Sequence, residues 1–136
     1  MAKRRRGTQR TRTRSSHHRR FEVLVDQALA SIPQPFAAAL DEVAIVIADE
    51  PSPEQRRENE IEHDETLYGL YEGVPRTEWG ADWAAIPNRI TLFRLPLEED
   101  FADPDELADE VWVTVIHELA HHLGIDDSRL EELGRD

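Results

Sequence analysis

The chain has 136 residues, no cysteine and a formal net charge of −13. That length suits one domain with a modest core, and the absence of cysteine excludes disulfides and thiolate metal sites. The N-terminus lacks the apolar stretch of a secretory signal, and no apolar run approaches the ~20 residues that span a membrane, so a cytoplasmic protein with no membrane contact is expected.

The net charge hides a split. Residues 1–20 hold nine Lys/Arg and no acid, a charge of +9, which leaves −22 on residues 21–136. The basic stretch carries Lys3, Arg4, Arg5, Arg6, Arg10, Arg12, Arg14, Arg19 and Arg20 among Thr, Gln and Ser. Nothing in it can build a core, so the expectation is a disordered basic arm ahead of a folded domain over 21–136. One reading of the arm is a weak nucleic-acid contact through residues 1–20, by phosphate neutralisation. The other is a solvated tail folded back on the acidic body. No aromatic residue interleaves the arginines, so the stacking used to read single strands is missing. His17 and His18 are read as ordinary residues of this tail.

Phe21 to Ile32 has apolar residues at 21, 24, 25, 28, 29 and 32, a helical period that Pro33 and Pro35 end. Pro35 can open a second short helix through Leu40. Val43 to Ala48 is an unbroken apolar run and reads as a fully buried strand. Asp49 to Glu65 is acidic, a loop with at most a short helix; His63 within it is read as a surface histidine, with metal contact as the minor alternative. Thr66 to Glu72 reads as a second strand. Val74 to Ile86 reads as a long loop, whose Trp79 and Trp83 either line a cleft or cap the core. Arg89 to Arg94 alternates as a half-buried strand does.

Asp103 to Leu123 reads as one long helix. Asp103 can cap it, Pro104 suits its first position and Glu106 stands where a capping box places an acid. Val111 to Ile116 would suit a strand by propensity, but the cap, the length and Gly124 as a stop favour helix. Near its end the chain reads His117-Glu118-Leu119-Ala120-His121-His122-Leu123-Gly124-Ile125-Asp126-Asp127. Residues four apart on a helix lie one above the other, so His117 and His121 can aim at one point, as two ligands that suit zinc. Glu118 lies about 100° round the helix from His117 and flanks such a metal. It could take a proton from a water that zinc acidifies to a pKa of about 7. Gly124 can take the left-handed conformation that turns the chain back. Beyond it, Asp126 and Asp127 compete to be the third ligand. His122 is read as lying behind the ligands or on the surface.

The pattern His-Glu-x-x-His-x-x-Gly-x-x-Asp resembles that of the zincin metallopeptidases with an aspartate as third ligand. It is most similar to the small bacterial proteins called mini-zincins. Gly69 to Pro75, Ile86 to Arg94 and Asp126 to Gly134 share the likeness, which runs over residues 21–134. The resemblance implies an α+β, minimal zincin-like fold, a small mixed β-sheet packed with the active-site helix. It selects Asp127, giving zinc (Zn2+) on His117, His121 and Asp127 with Glu118 as general base, and a peptide or protein as substrate. In that family a strand like Arg89 to Arg94 borders the cleft. Tyr68, Tyr71 and Arg94 are candidates to stabilise the oxyanion. The only methionine is Met1, so the methionine turn of larger relatives is absent, and so is a second large subdomain. These departures keep open an alternative from another class, a catalytically weak regulatory protein whose arm contacts nucleic acid.

Overall fold

Phe21, Val25, Ala28 and Ile32 recur at helical spacing, and in the structure, a computed structural model, all four are buried. The structure describes residues 2–62, 64–73 and 88–125. The first three belong to helix α1 (Ala2–Ala30) and Ile32 lies just beyond it. Fully burying a side chain the size of Phe21, Val25 or Ile32 stabilises the fold by roughly 1.5–3 kcal/mol. α1 also extends upstream through the basic stretch, where composition alone predicts disorder. Residues 2–30 contain no proline and one glycine, Gly7, and arginine, glutamine and alanine all favour helix. A helix seeded on the buried stripe therefore meets no breaker until Pro33.

The short helix α2 (Phe36–Leu40) follows, burying Phe36 and Ala39. Strand β1 (Ala44–Ala48) leads to helix α3 (Pro53–Glu58), which starts in a reciprocal capping box between Ser52 and Gln55. Strands β2 (Gly69–Glu72) and β3 (Arg89–Phe93) come next, then helices α4 (Arg94–Asp100) and α5 (Pro104–Leu123). α4 was not expected from the sequence. Its first turn is fixed from outside: Leu95 donates its N–H to the Asp49 carbonyl at 3.0 Å, and Arg94 pairs with Asp49 at 3.0 Å and Glu98 at 2.7 Å.

The three strands form a mixed sheet in the order β1-β3-β2, with β1 parallel and β2 antiparallel to β3. This is the expected α+β architecture. Partners Ile45↔Ile90↔Tyr71 and Ile47↔Leu92↔Gly69 share the face that meets the helices. α1 and α5 pack together against it: Phe21, Val25, Ile90, Leu92, Val111, Val115 and Leu119 belong to one buried cluster.

Two strand expectations are corrected. β3 is the central strand, with Ile90, Thr91, Leu92 and Phe93 all buried, so it is not half-buried and has no free edge. β1 lies at an edge, and its Val46 is 39% exposed, so it is not fully buried. Alternation and an apolar run report side-chain character; which strand becomes central is decided by pairing across residues far apart in the chain. The edge nearest α5 belongs to β2. A Cβ at Gly69 would lie 2.6 Å from the Thr114 methyl, so glycine lets this strand sit directly on the helix.

Candidate metal centre and catalytic base

α5 is fixed at both ends. Asp103 Oδ2 accepts from the N–H groups of Asp105 and Glu106, each at 3.1 Å, and Pro104 occupies the first turn. At the other end Gly124 has φ 73°, Gly124 donates to the His121 carbonyl at 3.1 Å and Ile125 to the Ala120 carbonyl at 2.8 Å. That pair of bonds is the Schellman closure, which needs a residue at ease in the left-handed region. It turns the chain two residues past His122.

Between these ends, α5 presents three columns. Leu107, Val111, Val115 and Leu119 face the core, all buried. Thr114, Glu118 and His122, four apart, rest along β2: Thr114 over Gly69, Glu118 on the Tyr71 backbone and His122 on the Tyr71 phenol. The third column holds the half-buried His117 and, one turn on, His121, whose side chain is 55% exposed. The expected ligand pair thus shares one column, beside the column that carries Glu118.

The chemistry of these donors suits a metal. His117 Nδ1 lies 3.0 Å from the Val113 carbonyl, which can only accept, so Nδ1 carries the proton and Nε2 keeps its lone pair for a ligand bond. His121 Nδ1 stands 3.7 Å from Glu118 Oε1. The Glu118 side chain is only 15% exposed, and its Oε1 accepts from the Tyr71 N–H at 2.7 Å. Burial raises the carboxyl's pKa, opposed by His121, by the Tyr71 N–H and by His117. Two turns upstream, Glu110 is also raised by burial and opposed by His117. Among the described residues no group of three His, Asp or Glu side chains comes together to hold a metal. Asp126 and Asp127 lie outside the described residues, as do His63, Trp79, Trp83 and the closing helix expected at Ser128 to Leu133.

The sequence profile of the zincin-like metallopeptidases matches residues 40–135, about 70% of the chain, and spans β1 through α5. The chain belongs to the zincin-like metallopeptidase family. No curated relative matches it by sequence. The match leaves α1 wholly outside, although α1 supplies part of the core. No helix among the described residues is long and apolar enough to cross a membrane.

The buried polar network around His122 was not foreseen. His122 is 0% exposed, which removes the surface reading; Nε2 lies 2.9 Å from Glu42 Oε1 and Nδ1 3.0 Å from the Tyr71 hydroxyl. The Tyr71 hydroxyl also lies 3.0 Å from Asn88 Oδ1. One tyrosine therefore holds Glu118 through its backbone and His122 through its ring. A sequence signal existed, the polar column 114–118–122 within an apolar helix, but nothing local links it to Glu42, 80 residues away from His122. The oxyanion candidates are otherwise engaged: Tyr71 as described, Arg94 with Asp49 and Glu98, and Tyr68 through its hydroxyl on Asp100. That hydrogen bond, with burial and the Asp100 charge adding, pushes the Tyr68 phenol up to about 12.

Proposed function

We propose that this chain is a small zinc-dependent metallopeptidase, with His117, His121 and Asp127 holding zinc and Glu118 serving as general base. The observation that carries the reading is the placement of Glu118, a half-buried carboxylate beside the two-histidine column and bonded to the edge of the sheet. Zinc, when bound, acts as a Lewis acid and lowers the pKa of water to about 7. Glu118 would accept the proton of the attacking water on a carboxylate oxygen and return it to the leaving amine nitrogen. Glu118 is desolvated yet solvent-reachable, and its neighbour β2 fixes its direction.

The edge of β2 bears on how a substrate would lie. Phe93 donates its N–H to the Tyr68 carbonyl, so in this antiparallel register Leu70 and Glu72 bond towards β3 while Gly69 and Tyr71 turn their backbone groups outward. An extended peptide would pair along that outer edge rather than along Arg89 to Arg94. It would compete with Glu118 for the Tyr71 N–H and free the carboxylate for the water. The strongly acidic body favours basic or unstructured peptides, and a cytoplasmic location agrees with the absence of cysteine.

The test is a diverse peptide library incubated with the zinc-loaded full chain, with new termini read by mass spectrometry. Cleavage is expected, abolished by a chelator and restored by zinc. Intact peptides after prolonged incubation with a fully zinc-loaded protein would count against the peptidase reading and favour a non-catalytic protein on this scaffold.

A further inference from the structure

The arm and the body of α1 differ completely in character. Among the α1 side chains described, Ser16, His17, Arg19 and Arg20 are exposed, and Phe21 is the first one buried. The backbone is helical upstream to Ala2, so residues 2–20 extend the core helix by roughly 28 Å. Lys3, Arg6, Arg10 and Arg14 recur at spacings of three and four, and like charges at those spacings disfavour a helix. No acid lies within residues 1–20 to relieve this; the first is Glu22, which pairs with His18 at 2.8 Å. A helix so charged is stabilised by a polyanion.

The composition narrows which polyanion. Eight of the nine cations are arginine, whose planar fork matches phosphate oxygens. Apart from Met1 and Ala2 the stretch has no apolar side chain, so it lacks the apolar face with which amphipathic helices enter membranes. The charge of −22 on residues 21–136 keeps the rest of the protein away from phosphates and confines the contact to the arm. We propose that residues 2–20 are a nucleic-acid docking arm that grips the phosphodiester backbone without reading sequence, independently of the peptidase chemistry. Folding the arm onto the protein's own acidic body is the competing arrangement.

The experiment is fluorescence anisotropy of the full chain with a labelled 20-base-pair DNA duplex and the same sequence as RNA duplex, between 50 and 200 mM salt. With six or more phosphates neutralised, affinity is expected to fall by about 10³-fold or more across that range. The variant carrying Arg4→Gln, Arg5→Gln, Arg6→Gln, Arg10→Gln, Arg12→Gln and Arg14→Gln keeps helix propensity and is expected to lose that binding. A preference for one duplex identifies the natural source and supports the proposal either way. No binding at 50 mM salt, binding unchanged in the variant, or equally tight binding to phosphatidylserine vesicles would each overturn it.

Discussion

Replacing Glu118 with glutamine is expected to lower peptide hydrolysis by about 10²–10⁴-fold while zinc stays bound. The amide keeps the shape of the side chain, and its oxygen can still accept from the Tyr71 N–H at the 2.7 Å contact, so β2 and α5 stay in register. What is lost is the ability to take a proton from water. Steady-state rates on peptides found in the library, with zinc content and circular dichroism measured on the same preparations, separate these effects. A variant that retains activity within a few-fold of the parent would remove Glu118 from the proton transfer. A variant that loses zinc as well would show that the carboxylate supports the metal rather than the water.

The second large effect is structural. His122→Ala is expected to destabilise the fold by about 3 kcal/mol, because it opens a cavity in a fully buried position and strips a partner from both Tyr71 and Glu42. For a domain of this size that is a fall in Tm of about 10 °C. Glu42 is only half-buried, so Glu42→Gln, which keeps an acceptor towards His122, is expected to cost about 1 kcal/mol. Thermal unfolding of the two variants side by side checks the order. A His122→Ala change no larger than that of Glu42→Gln would mean that the network holds little of the fold.

The sequence made α5 legible because three independent signals agreed there: Asp103 and Pro104 at its start, Gly124 at its end, and the four-residue spacing of His117 and His121 between them. They overrode the strand propensity of Val111 to Ile116, since a fixed cap and stop leave the intervening residues to pack as a helix. The shared column of His117 and His121 and the flanking position of Glu118 followed from helix geometry alone. Sheet order did not follow, because β3 became central through pairing with β1 and β2, partners up to 45 residues distant in register. The same limit hid Tyr71: its role rests on Glu118 and His122, 47 and 51 residues on, and no spacing within β2 announces either contact. Composition argues against a core in the arm but does not bear on helix, which α1 continues where no breaker intervenes.

In the function we propose, His117 and His121 form the heart of a zinc site, with Asp127 completing it. Elemental mass spectrometry on the full chain, purified without a histidine tag, tests this most directly. About one zinc per chain is expected, lost in His117→Ala and His121→Ala and weakened in Asp127→Ala, with all three variants folded. A folded parent protein that carries no zinc and takes up none on titration would contradict it.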